Sequence, residues 1–267
     1  MTPTVDILGA SSATFSATAT QVVFLLHGIC KTRGDMFPLS MALKRRGYEV
    51  INWRYHSRKH RINELADQLS SAVASRPDAR IHFITHSMGG IIVRTCLARH
   101  HFPNIERFVM IGPPNQGARL ADVLSRWALY RLVFGPAGLD LRQGENGVCR
   151  DAGIPNCEFG IIAGGRGGSR GKNPFLPGDN DGTVTVESTR LEGAADFLLV
   201  PYSHTIIHMM PRTIRAAIKF IETGRFNTNR SEECRPLSLP ALSHIAISQL
   251  ARTGAAWGGR KRLGARR

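Results

Sequence analysis

A serine stands between an apolar segment and a helix-like segment of the sequence. Ser87 follows the apolar run 81–84 and precedes Gly89 and the helical pattern of residues 91–99. A sharp turn from strand to helix presents a serine hydroxyl as a nucleophile, and it requires small neighbouring residues. Gly89 meets this requirement, whereas Thr85 stands where the commoner pattern has glycine. The segment indicates a nucleophilic serine, and the alternative is an unreactive Ser-Gly-Gly turn.

A serine nucleophile needs a histidine that accepts its proton and a carboxylate that orients the histidine. Asp179 and Asp181 follow one late apolar segment, and His204 and His208 follow the next. These two segments span residues 158–163 and 197–200. The order suits a Ser-His-Asp triad. Residue type leaves two candidates open for the acid and two for the base, and Asp-Asn-Asp-Gly is also a common turn sequence.

The histidine pairs His204/His208 and His56/His60 have the i,i+4 spacing that can bind zinc on a helix. His204 and His208 have no glutamate between them and no obvious third ligand, and His56 and His60 lie among arginines and lysine. Neither pair fits a zinc site. The glycine-rich run 164–172 departs from the phosphate-binding pattern and reads as a mobile surface loop. We therefore expect neither a metal ion nor a cofactor.

Apolar segments alternate along the chain with segments of helical period. The predicted strands have nearly continuous apolar character, which is typical of a parallel sheet covered on both faces. They are 22–26, 48–52, 81–84, 108–111, 158–163 and 197–200. Predicted helices include 35–46, 62–73 and 211–223. A chain of 267 residues is long enough for one such α/β domain.

The segment 120–134 is apolar to an unusual degree. Leu120, Val123, Leu124 and Trp127 have the spacing of a buried stripe, and residues 128–134 are apolar nearly all round. This pattern favours a helix packed in the core. The alternative is a partly exposed cap over the serine that binds an acyl chain.

Five motifs in one order make the chain resemble the small bacterial esterase/lipase branch of the α/β-hydrolases, including compact lipases that lack a large lid. They span roughly residues 20–226 and are His27-Gly28-Ile29, Thr85 to Gly90, Gly112-Pro113-Pro114-Asn115-Gln116-Gly117, Asn180-Asp181-Gly182-Thr183-Val184 and Ser203-His204-Thr205. The resemblance implies an α/β-hydrolase fold with a mostly parallel central sheet, helices on both faces, and a small or absent lid.

The resemblance also assigns roles to residues. It makes Ser87 the nucleophile, His204 the base and Asp181 the acid, because Asp181 directly precedes the Gly-x-Val turn. The backbone amides of Ile29 and Met88 would form the oxyanion hole, which must be in place before charge appears on the carbonyl oxygen.

The predicted organisation is an N-terminal extension (1–19), a catalytic domain (20–226) that the resemblance covers, and a basic C-terminal tail (227–267) that differs in composition. The tail holds eight lysine and arginine residues against Glu232 and Glu233, so it carries +6 of the formal charge of +15. We expect it to be disordered. It could contact an anionic membrane or nucleic acid, and the alternative is a solubilising extension.

Five cysteines form no scaffold pattern. Cys96 is expected to be buried on the helix after Ser87, and the spacing of Cys149 and Cys157 would allow a loop disulfide. No apolar stretch approaches the ~18 residues of a membrane span, and no signal peptide is evident. A soluble, cytoplasmic protein is expected.

The function expected from these residues is hydrolysis of a carboxylic ester, from a small molecule or a lipid, through an acyl-enzyme intermediate. A thioesterase or an acyltransferase would use the same triad. A more remote alternative is a non-catalytic basic binding protein on a hydrolase scaffold.

Overall fold

The computed structural model describes residues 19–144 and 147–226, and a parallel sheet organises them. Its strands are β1 (Gln21–Leu26), β2 (Glu49–Asn52), β3 (Arg80–His86), β4 (Ile105–Ile111), β5 (Glu158–Gly164) and β6 (Asp196–Val200), in the order β2-β1-β3-β4-β5-β6. Every neighbouring pair runs parallel. Segment 1–18 of the predicted extension and the predicted tail 227–267 lie outside the described residues.

Helices connect the strands. They are α1 (Phe37–Lys44), α2 (Ile62–Ala74), α3 (Met88–Arg99), α4 (Arg119–Leu124), α5 (Ala128–Asp140), α6 (Val186–Thr189) and α7 (Pro211–Thr223). Single 3-10 turns precede α1 at Arg33–Met36 and α7 at Ile207–Met209.

Both faces of the sheet are covered, as β1 illustrates. Val22, Phe24 and Leu26 pack in the cluster that includes α2 and α3. Val23 and Leu25 point to the opposite side, into the cluster that includes α1 and α7, because successive side chains of a strand alternate between faces. All five are fully buried. The prediction of a parallel sheet with helices on both faces is confirmed.

The predicted helix over 120–134 is wrong in its continuity and in its burial. It forms two short helices, α4 and α5, and α5 is itself interrupted at Gly135, which has φ 63° and ψ −164°. Glycine adopts this conformation readily, and Pro136 then begins a new helical turn. The apolar side chains of this segment face outward, and Trp127 is 69% and Leu132 79% exposed. The core interpretation of this segment therefore fails.

The structure also bears on the cysteines and on the lengths of the helices. Cys96 is buried on α3, as expected. Cys149 and Cys157 are both free thiols, so the disulfide that their spacing allowed is not formed. Within the described ranges, no helix is long and apolar enough to cross a membrane.

Candidate active site

The turn between β3 and α3 holds Ser87 in a strained backbone conformation. Ser87 has φ 54° and ψ −124°, a region that residues with a side chain rarely adopt. Its amide donates to the carbonyl oxygen of Ile111 at 2.8 Å, which fixes the turn against β4. A Cβ on Gly89 would lie 2.9 Å from the carbonyl oxygens of Leu26 and His27. Glycine at 89 therefore lets α3 approach β1 closely.

The structure also explains why threonine is tolerated at position 85. Thr85 is fully buried, and its hydroxyl donates to the carbonyl oxygen of Val109 at 3.4 Å. A Cβ on Gly90 would come within 3.3 Å of that hydroxyl. Glycine at 90 thus supplies room that the commoner pattern obtains from glycine at the position of Thr85.

The structure brings Ser87, His204 and Asp181 into one hydrogen-bonded row. The Nε2 atom of His204 lies 3.0 Å from the Ser87 hydroxyl, and its Nδ1 atom lies 2.6 Å from Oδ2 of Asp181. The other carboxylate oxygen of Asp181 accepts the amides of Thr183 at 2.9 Å and Val184 at 2.8 Å. A carboxylate fixed in this way places the histidine proton on Nδ1 and leaves Nε2 free to accept the serine proton.

The competing candidates have other contacts. Both oxygens of the Asp179 carboxylate accept the amide of Arg166, and Oδ2 also accepts that of Gly167, so Asp179 anchors the start of the glycine-rich loop. His208 is buried and stacks on His86, with ring centroids 4.1 Å apart. The structure gives neither residue a hydrogen bond to the row.

The amides of Ile29 and Met88 lie on the two segments next to Ser87. Met88 directly follows the serine and begins α3, whose positive end favours negative charge there. Ile29 follows Gly28, where a Cβ would lie 3.1 Å from Cβ of Ser87. Within the described chain, neither amide has an acceptor. In the described ranges, no backbone acceptor therefore competes for either donor.

His86 and His208 form a cluster of uncharged histidines next to the row, and the sequence analysis did not predict this cluster. The Nε2–H of His86 donates to the carbonyl oxygen of His204 at 3.0 Å. Burial lowers the pKa of His86 well below its usual value and lowers that of His208 to about 4. Both are therefore neutral near pH 7. His86 precedes Ser87 in sequence, but no motif signalled its contact with His204.

Gly112 is a second residue whose proximity to the row the sequence did not reveal. It has φ 57°, a conformation that favours glycine, and a Cβ there would lie 3.3 Å from the His204 ring and 3.5 Å from Oδ2 of Asp181. Glycine at 112 therefore leaves space beside the His204 ring.

Neither histidine pair suggests a metal centre. His60 contacts Glu64 at 3.0 Å on α2, and His56 is exposed. Among the side chains of the described ranges, no group of three His, Cys, Asp or Glu residues could hold a metal ion.

The row of Ser87, His204 and Asp181 can act by proton transfer and nucleophilic attack.

Comparison with known proteins supports this description of the fold. Residues 21–139 match a family model described as alpha/beta hydrolase fold. No curated protein sequence matches the chain. A Bacillus licheniformis lipase in mature form is similar in structure, with a TM-score of 0.63 and 22% identity over 78% of this chain and 93% of the lipase.

Two further solved structures resemble the chain at similar identity. The phospholipase PlaB from Legionella pneumophila has a TM-score of 0.57 and 19% identity, over 75% of this chain and 57% of its own. A metagenomic carboxyl esterase has a TM-score of 0.52 and 19% identity, over 70% of this chain and 65% of its own. At these identities the likeness concerns the fold.

Proposed function

We propose that this chain, which is a member of the α/β-hydrolase superfamily, cleaves carboxylic esters with Ser87 as the nucleophile. The observation that carries the proposal is the hydrogen-bonded row, in which His204 lies 3.0 Å from the serine hydroxyl and 2.6 Å from Asp181. Nucleophile, base and orienting acid within hydrogen-bond distance are what acyl transfer requires. The similar folds of a lipase and a carboxyl esterase also support an ester substrate.

In the proposed mechanism, each group has one step. The Ser87 oxygen attacks the ester carbonyl carbon while its proton passes to Nε2 of His204, and Asp181 stabilises the imidazolium through Nδ1–H. The amides of Ile29 and Met88 hold the negative carbonyl oxygen. When the tetrahedral intermediate collapses, the carbon–oxygen bond to the alcohol breaks and the imidazolium protonates the leaving oxygen. Water, activated by His204, then releases the acid from the acyl-enzyme and restores the serine.

The test is turnover of a series of p-nitrophenyl esters of increasing acyl length, with acyl-thioesters of the same lengths alongside. Ser87→Ala should lower kcat on the order of a millionfold, because the triad acts as a unit. Ser40→Ala is the matched control, because Ser40 lies on α1 outside the row and is 6% exposed, as Ser87 is.

The control variant should keep wild-type turnover. Equal activity of Ser87→Ala and wild type would contradict the proposal, and so would a wild type that cleaves thioesters but none of the oxygen esters.

A further inference from the structure

A cavity of about 1120 Å³ opens beside the loop that carries the Ile29 amide. Its walls come from residues 27–33, residues 54–59 and the pair Leu132-Val133 of α5. Its lining includes five cationic side chains: Lys31, Arg33, Arg54, Arg58 and Lys59. We call this the basic cavity. Among the described residues that line it, none is aspartate or glutamate.

Most of these cations lack a carboxylate partner. Lys31 pairs with Asp35 at 3.2 Å. Within the described ranges, the other four form no ion pair with a carboxylate, although Arg58 donates to the carbonyl oxygen of Val133 at 3.4 Å. Arginines elsewhere on the surface do pair, as Arg46 does with Glu222 at 2.6 Å. The positive charge of the basic cavity is therefore available to a ligand.

One residue that lines the basic cavity belongs to the loop that contacts the nucleophile. His27 lines it, and the next residue is Gly28, whose Cβ position lies 3.1 Å from Cβ of Ser87. The ring of Tyr55 stacks on that of His27 with centroids 4.1 Å apart, and its hydroxyl donates to the His27 carbonyl oxygen. These contacts tie the arginine-bearing loop 54–59 to the loop beside the serine. A ligand in the cavity would thus lie against the loop that contacts the serine.

We propose that the basic cavity binds a phosphate group of the substrate, so that the preferred substrate is a phosphate-bearing lipid ester. This inference rests on the proposed function. Guanidinium groups present planar pairs of N–H donors to anionic oxygens, and three arginines offer more donors than the two oxygens of a carboxylate can accept. A phosphate group has more oxygens than a carboxylate and can therefore accept more of these N–H donors.

The lipid part of the proposal comes from α5. Leu132 and Val133 line the cavity, and the neighbouring Leu129 is 69% exposed. Apolar side chains at the rim of a cationic cavity suit a molecule that carries both a phosphate and an acyl chain. Small-molecule cavities commonly measure about 300–1,000 Å³, so the volume is large enough for a head group and its glycerol.

The experiment compares dihexanoyl phosphatidic acid, kept below its aggregation concentration, with dihexanoylglycerol, its neutral counterpart. The cavity variant is Arg54→Gln with Arg58→Gln. The matched control is Arg45→Gln with Arg170→Gln, which removes the same charge from two exposed arginines outside the cavity. We expect the ratio of kcat/KM for the phosphatidic acid to kcat/KM for the neutral ester to fall about tenfold in the cavity variant. The control should keep the wild-type ratio.

Binding separates this proposal from the proposed function. Calorimetry on the Ser87→Ala protein should show that it binds dihexanoyl phosphatidic acid, and that adding the two cavity substitutions weakens this binding about tenfold. If the wild-type protein hydrolysed no ester while binding still responded to the cavity substitutions, the cavity would be supported and the proposed function contradicted. An unchanged ratio, or inorganic phosphate that binds as tightly as the lipid, would overturn the assignment of the cavity to a phosphate-bearing lipid ester.

Discussion

Replacing Asp181 by asparagine should reverse the direction of the hydrogen bond to His204. One carboxylate oxygen of Asp181 accepts two backbone amides, from Thr183 and Val184. An asparagine must keep its oxygen at that position, because its NH₂ group cannot accept those amides. The NH₂ group then faces Nδ1 of His204 and donates to it. The imidazole proton moves to Nε2, which points at Ser87.

A histidine protonated on Nε2 cannot take the serine proton. The same change of tautomer in a serine protease lowers kcat about 10⁴-fold, which corresponds to about 5.5 kcal/mol of activation free energy. We expect a loss of this order in Asp181→Asn. The change in KM should be small, because Asp181 is buried behind His204.

Asp179→Asn provides a matched control two residues away. It makes the same chemical change, but its carboxylate holds the amides of Arg166 and Gly167. Its kcat should stay within about threefold of wild type, since it leaves the tautomer of His204 unchanged.

The assay is steady-state hydrolysis of p-nitrophenyl butyrate between pH 6 and 9, with circular dichroism to verify that each variant is folded. A folded Asp181→Asn protein that keeps more than a tenth of wild-type kcat would refute the tautomer argument. An equal loss in Asp179→Asn would refute the choice of acid.

Three further predictions concern Gly112, Arg94 and His208. Gly112→Ala should lower kcat at least tenfold in the ester assay, because its Cβ would press on the His204 ring at 3.3 Å. Arg94→Ala should lower the free energy of unfolding by about 3 kcal/mol in urea titrations, because the buried guanidinium donates to Gly153 and Asn115. His208, with its pKa lowered to about 4, binds a proton more readily in the unfolded chain. Wild-type stability should therefore fall between pH 7 and pH 5, and His208→Gln should remove about 2 kcal/mol of that fall.

Each of these has a clear contrary result. Wild-type kcat in Gly112→Ala would mean that the histidine does not need the space. An unfolding free energy unchanged in Arg94→Ala would mean that water satisfies the acceptors. Equal acid destabilisation of His208→Gln and wild type would mean that other groups account for the effect of pH.

The parts of the fold that the sequence predicted are those set by local apolar pattern. All six predicted strands form. The central strands β1, β3, β4 and β5 contain nearly continuous apolar runs that a doubly covered parallel sheet buries, whereas the edge strand β2 is only partly buried. The positions of Ser87 and His204 followed from the strands before them. The helix over 120–134 was wrong because a period of apolar residues does not say whether the helix will stop at Leu124 or whether its apolar side chains will face solvent.

Features that depend on contacts between segments distant in sequence could not be predicted from the sequence. The basic cavity combines residues 27–33 with 54–59, which lie at the ends of β1 and β2 and meet through the parallel pairing of those strands. Whether Asp179 or Asp181 faces His204 depends on backbone contacts two residues apart, and residue type alone does not distinguish them. The burial of Arg94 was not predicted. Its guanidinium donates to backbone carbonyl oxygens, such as that of Gly153. Every residue has a carbonyl oxygen, so no residue type in the sequence marks these partners.

The proposal that Ser87 is the nucleophile is tested most directly by reaction of the wild-type protein with a fluorophosphonate probe, followed by mass spectrometry of its peptides. A serine activated by a histidine attacks the phosphorus and displaces fluoride, whereas an ordinary serine does not react. We expect one adduct, on Ser87, and none on the Ser87→Ala protein. An adduct on any other residue, or a wild-type protein that the probe leaves unmodified, would contradict it.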